Sequence, residues 1–191
     1  SELMQGNVDL VTDLNQEDYE IIVDDDRFEA YGYLDYFYHT VLFNLKDEKF
    51  QDPRMREALD LAIDREELIN TVLSGLAVPV SGPFRPGTWP YNESVPLPEY
   101  KPERASEILA ELGYIDSDGD SIRDKNGNDL SIKLYVDDAD DLKRHVAQRL
   151  KWQLLRVGVR LDVEYLPFNE LLQNHLYPGK YETALLQFNS G

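Results

Sequence analysis

The second half of the chain switches repeatedly between two hydrophobic periods, and this alternation constrains the fold more than any other feature. Pro102 to Leu112 reads as a helix, with Ala105, Ile108, Leu109 and Leu112 on one face and Gly113 as terminator. An Asp-rich loop leads into "LSIKLYV", a strand running through Val136. Leu142, Val146, Leu150, Leu154 and Val157 then recur at near-helical spacing up to Gly158, and "VRLDVEY" alternates, with Val159, Leu161, Val163 and Tyr165 on one face. A short helix over Phe168 to Leu176 precedes a last strand around Ala184 to Phe188. Successive strands separated by helices are joined by crossovers, and crossovers give parallel pairs. The expected fold class is therefore α/β, a mixed, mainly parallel sheet flanked by helices.

The first half adds short strand candidates at Val8 to Val11 and Glu20 to Val23. From Asp35 to Leu45, "DYFYHTVLFNL" is aromatic and β-branched without glycine or proline, which predicts a long strand covered on both faces. Two helices follow. Asp52 caps the first, whose opening position is Pro53, where the missing N–H costs nothing; Met55, Ala58, Leu59 and Ala62 form its apolar stripe. Asp64 and Glu67 have the spacing of a capping box for the second, which carries Leu68, Ile69, Val72 and Leu73 to a left-handed Gly75. At 191 residues the chain fits one domain with a sizeable core.

Charge narrows the function. Acidic residues number 37 against 19 basic, a net charge of −18, so the surface repels nucleic acid and anionic lipid. The absence of cysteine removes disulfides, thiolate metal sites and cysteine nucleophiles. No run approaches the roughly eighteen apolar residues that span a bilayer. His39, His145 and His175 are scattered, and no nucleophile stands beside a visible base, so no enzyme is expected.

Two segments carry binding chemistry. In "DSDGDSIRD", Asp116, Asp118, Asp120, Ile122 and Asp124 have spacings at which one loop wraps oxygen ligands around a hard cation, so a structural Ca²⁺ is one reading. The other is a polar turn whose aspartates fold back on their own N–H groups, because Ser121 and Gly127 stand where an EF-hand has glycine and a bidentate glutamate. The loop "VPVSGPFRPGTWPYNESVPLPEY" holds prolines at 79, 83, 86, 90, 96 and 98, which exclude a central strand or helix. Phe84, Trp89, Tyr91 and Tyr100 interleave with them, as walls of a pocket or as anchors of the loop.

The stretch "FNLKDEKFQDPRMREALDLAIDREELINTVLSGLAVPVSGPFRPGTW" resembles the signature region of the oligopeptide and dipeptide solute-binding proteins of ABC importers, family 5. Phe43-Asn44, Phe50, Asp52, Arg54, Arg56, Ala58, Ala62-Ile63-Asp64-Arg65, Gly75, Ser81-Gly82-Pro83 and Trp89 carry the likeness, which continues through "YKPERASEILAELGY", where Leu112 replaces the family's usual small residue. The resemblance implies one lobe of a two-lobe periplasmic-binding-protein-like fold, with residues 1–191 as a single lobe excised from a larger protein, and Ser1 and Gly191 emerging side by side. It implies a periplasmic or extracellular parent, secreted or lipid-anchored, that closes the N-terminal lobe of the same chain onto a peptide or similar small solute and delivers it to a membrane permease. Phe84, Trp89, Tyr91, Gln187 and Asn189 are the expected lining residues; the group that grips a peptide's amino terminus would follow "TALLQF", past the end of this sequence. The alternative is a calcium-dependent surface interaction module working through "DSDGDSIRD".

Overall fold

The computed structural model describes residues 2–12, 14 and 16–189, and the chain divides into two compact units, residues 1–35 and 36–191. Ser1 and Gly191, expected side by side, lie outside the described residues.

The first unit contains helix α1 (Gln16–Val23), which corrects the strand expected over Glu20 to Val23. Its β-branched residues suit either state; the backbone is helical, with Ile22 buried and Ile21 and Val23 facing solvent. Val8 to Val11 is irregular rather than a strand, with all three of its apolar side chains exposed.

The second unit is built on four strands, β1 (Phe37–Phe43), β4 (Ser131–Asp137), β5 (Arg160–Leu166) and β6 (Thr183–Asn189), which lie in the order β1-β6-β4-β5. β4 pairs in parallel with both β5 and β6, while β1 runs antiparallel to β6. The sheet is thus mixed and mainly parallel. Helix α5 (Asp141–Leu155) connects β4 to β5, and helix α6 (Phe168–Glu170), extended by a π-type segment over Leu171–Leu176, returns the chain to β6. A two-stranded antiparallel ribbon, β2 (Asp124–Lys125) with β3 (Asn128–Asp129), precedes β4.

β1 is shorter than the expected strand and is not covered on both faces. It lies at the sheet edge with Phe37, His39 and Leu42 exposed, because aromatic and β-branched composition reports fit to a pleated surface and does not distinguish an edge from a centre. The core forms where helices α2 (Pro53–Leu61) and α4 (Pro102–Glu111) bring Met55, Ala58, Ile108 and Leu109 together with Ile132, Leu134 and Val136 of β4. Phe50 is fully buried beside Phe43, ring centroids 5.1 Å apart.

The helix starts follow the sequence chemistry. The Asp52 carboxylate accepts from the Arg54 N–H at 2.9 Å, and Asp64 accepts from the Glu67 N–H at 2.9 Å to open α3 (Arg65–Val72). The reciprocal half of the capping box is replaced: the Asp64 N–H donates to Gln153 Oε1 on α5 at 3.1 Å. At the far end, the left-handed turn is shared by Ser74 and Gly75, with φ of 48° and 77°.

On α5 the buried face is Lys143, Ala147, Leu150, Gln153 and Leu154, so the expected stripe is displaced at Leu142 and Val146, which are only partly buried. Two polar side chains, Lys143 and Gln153, occupy interior positions there. Residues 76–101 contain no helix or strand, and the segment is tied down where the Lys101 N–H donates to the Leu61 carbonyl at 2.8 Å.

Candidate ligand-binding face

In an open sheet with parallel strands, successive crossovers that leave in opposite directions open a crevice at the carboxyl ends of the strands between them. Here β4 continues to β5 on one side and β5 returns to β6 on the other, so this rule puts the switch point between β4 and β6. The residues at that end are Asp137 of β4, Leu166 of β5 and Asn189 of β6, and the antiparallel β1 contributes its first residues. The register pairs Phe37 with Asn189 and His39 with Gln187. Gln187 and Asn189, both exposed, therefore stand at the carboxyl edge.

The loop aromatics reach this edge through Arg85. Its guanidinium lies over the Tyr36 ring, 4.4 Å from the centroid, and Tyr36 immediately precedes β1 at the Phe37–Asn189 end. This cation–π contact fixes the loop beside the strand ends. Phe84, next to Arg85, is exposed; Tyr91 is half-buried, and the Tyr91 N–H donates to the Thr88 carbonyl at 3.1 Å. Trp89 is 97% exposed, so the anchoring reading is corrected: the indole is left almost wholly in solvent.

One feature of the edge had no signal in the sequence. Lys143, at the third position of α5, is only 7% exposed, and its ammonium pairs with Asp140 Oδ2 at 2.9 Å. Asp140 also caps the helix, accepting from the Lys143 N–H at 2.9 Å. A cation in the first helical turn opposes the helix dipole and a buried ammonium opposes desolvation, so Lys143 stands where two effects disfavour it. Asp140 is the acceptor that the described residues offer, and an ammonium has three donors. The nearest thing to a clue was a lysine at a position whose helical neighbours, Ala147 and Leu150, are core.

Charges at the edge are coupled. His39 presents part of its surface to solvent, yet the atoms packed around its ring desolvate it enough to lower its pKa; the Lys143 ammonium lowers it further, against an opposing pull from Asp140. For Asp140, burial raises the pKa, but hydrogen bonds from the Lys143 side chain and backbone outweigh it, and the carboxyl is held below its usual 3.8. Both folded values lie below the unfolded ones, so both groups contribute stability that is lost as pH falls. For His39 that contribution is complete above its ordinary 6.5 and declines below it. His39→Asn is expected to flatten the fall in urea-unfolding free energy between about pH 7 and pH 5. An unchanged slope would show that His39 does not carry this dependence.

The Asp-rich loop lies at the opposite end of the sheet. The Arg123 N–H donates to the Gly158 carbonyl at 2.8 Å and the Leu130 N–H to the Arg123 carbonyl at 2.6 Å, which sets the loop against the amino ends of β4 and β5. Carboxylate oxygens of Asp116, Asp118 and Asp120 lie within 4.8 Å of one another, all exposed. These side chains also bond to the turn's own amides: Asp116 accepts from Gly119 at 2.8 Å and Ser121 at 3.1 Å, Asp118 from Asp120 at 3.2 Å, and Asp120 from Ile122 at 2.7 Å. Asp124 is directed elsewhere, accepting from the N–H and hydroxyl of Ser117 at 2.8 and 2.6 Å.

Comparison with known proteins adds the family context. The family model described as bacterial extracellular solute-binding proteins, family 5 Middle, matches residues 1–191. The oligopeptide-binding protein AppA of Bacillus subtilis is 31% identical over 138 residues, 71% of this chain and 25% of that protein. The glutathione-binding protein GsiB of Pectobacterium atrosepticum is 24% identical over 189 residues, 99% of this chain and 34% of its own length. Among solved structures, AppA of Bacillus subtilis in complex with a nonapeptide superposes with a TM-score of 0.81 at 25% identity, covering 100% of this chain and 38% of AppA. DppA of Helicobacter pylori in complex with the peptide STSA gives 0.75 at 21% identity, covering 98% of this chain and 34% of DppA, a likeness of fold. The chain thus spans a quarter to about a third of the curated relatives' length.

Proposed function

Because the chain belongs to the bacterial extracellular solute-binding proteins of family 5, we propose that residues 1–191 form one lobe of a larger protein that captures a peptide or similar small solute outside the cytoplasm and passes it to a membrane permease. The ligand lies along the carboxyl edge of the sheet, against Gln187 and Asn189, with Phe84, Trp89 and Tyr91 of the proline-rich loop as its apolar wall. A second lobe from the same parent chain supplies the opposite wall. No bond is made or broken in this role, in keeping with a family of binding proteins.

The observation that carries the reading is Lys143, a buried ammonium with donors to spare on the first turn of the helix that follows the carboxyl end of β4. A carboxylate or carbonyl of the solute supplies the missing acceptors. Such a charge-assisted hydrogen bond in a desolvated site is stronger than a neutral one and fixes the ligand's orientation. The ligand's apolar groups then meet the loop aromatics, whose large rigid surfaces are ordered at little entropic cost.

Mass spectrometry of ligand retained by the intact parent tests the proposal: the expected species is a peptide or small solute bearing a carboxylate. An intact parent that binds no such molecule in calorimetric screening would overturn it. For the loop, Trp89→Ala in the parent is expected to weaken binding about tenfold, the loss of one aromatic contact worth about 1.4 kcal/mol. Unchanged affinity would remove Trp89 from the ligand wall.

A further inference from the structure

The outer face of α5 runs against the character of the chain. Within a molecule of net charge −18, the exposed side of this helix and the residue after it carry Arg144, Arg149, Lys151 and Arg156 against a single acid, Asp141. His145, Arg149, Trp152 and Arg156 recur every three or four residues and so share one stripe. Trp152 is 64% exposed, and Leu155 beside it is also exposed. An exposed indole on one stripe with guanidinium groups matches the composition of interface anchors.

The stripe borders a hollow of about 380 Å³ lined by Glu67, Arg149, Trp152, Gln153, Leu155 and Arg156. Its floor is rigid. Gln153 is 2% exposed and clamps the backbone of Asp64 from both sides, accepting its N–H at 3.1 Å and donating to its carbonyl at 3.1 Å. Glu67 is already engaged by Gln153 and by Arg149, the latter at 3.2 Å. Its charge is thereby answered, and Arg156 leaves the rim positive, with the exposed Lys151 next to Trp152 in the chain.

We infer that this hollow is a docking site for an acidic segment of a protein partner, with Trp152 as the apolar anchor and Arg156 as the charge that selects carboxylates. The fit rests on charge and shape together. The rest of the surface repels an acidic partner, so this cationic stripe orients its approach. A concave, clamped floor suits protruding side chains better than the plane of a lipid surface, and its rigidity limits the ordering cost of association. The site lies on the helix face turned from the sheet, separate from Lys143 and the carboxyl edge, so it operates whether or not the solute is bound.

The test uses the full parent protein in its own cells, with a photo-crosslinking benzoylphenylalanine in place of the exposed Lys151. Irradiation is expected to join this position to one protein segment bearing at least two carboxylates within a few residues of the cross-link. The yield should fall at least tenfold in Arg156→Glu and in Trp152→Ala, two exposed substitutions that leave the Glu67–Arg149 pair in place. Solute binding by both variants reports that the fold is intact. Cross-linking to a neutral or basic segment, to a second copy of this chain alone, to lipid alone or to nothing would overturn the inference. So would a yield that both variants leave unchanged.

Discussion

Gly158→Ala is expected to destabilise the second unit by about 3 kcal/mol, lowering the midpoint of thermal unfolding by about 10 °C. Gly158 has φ +79°, in the left-handed region, where a side chain costs about 1–2 kcal/mol. An added Cβ would also stand 2.7 Å from Arg123 Cγ and 3.3 Å from the Arg123 backbone nitrogen. Arg123 cannot simply withdraw. Its Nε donates to the Val157 carbonyl at 2.8 Å, its guanidinium to the Tyr114 carbonyl at 2.9 Å, and its N–H to the Gly158 carbonyl. Urea unfolding measures the effect, and an Arg123→Ala background separates its two parts. In that background only the side-chain clash should be relieved, leaving the backbone strain. A loss below about 1 kcal/mol would show that neither operates.

Lys143→Met in the intact parent is expected to weaken solute binding about a hundredfold, the loss of charge-assisted hydrogen bonds worth about 2.7 kcal/mol. Methionine keeps most of the length and apolar volume of the lysine stem, so the packing beside Ala147 and Leu150 is largely retained. Asp140 loses the hydrogen bond that lowers its pKa and should titrate higher, so the part of the acid loss of stability that Asp140 carries below its usual 3.8 should shrink. Titration calorimetry near pH 7.5, well above the usual 3.8 of an aspartate, keeps the two effects apart. An affinity within threefold of the original would show that the buried ammonium does not contact the solute.

The architecture was legible wherever hydrophobic period and length agreed. Pro102–Glu111, Ser131–Asp137, Arg160–Leu166 and Thr183–Asn189 follow the alternation closely, because each element has one face that must be buried. The caps at Asp52 and Asp64 were equally readable, since a side-chain oxygen two or three residues before an unpaired N–H is a local event. Misreadings arose where burial depends on distant chain. Glu20 to Val23 is β-branched yet helical, and the aromatic segment that became β1 lies at an edge set by the strands it pairs with. Lys143 was illegible because a lysine's stem and charge have opposite preferences, and only the tertiary surroundings decide between them. The aspartate spacing at Asp116 to Asp124 is compatible with both of its readings, and the amide bonds seen there are those of the polar turn.

Placing the Asp-rich turn and the carboxyl edge of the sheet at opposite ends of β4 has a practical outcome. Seven strand residues set about 20 Å between them. The turn around Gly119 can therefore lengthen, shorten or accept a grafted fluorescent reporter while the carboxyl edge keeps its shape, and the two poles are free to diversify at different speeds.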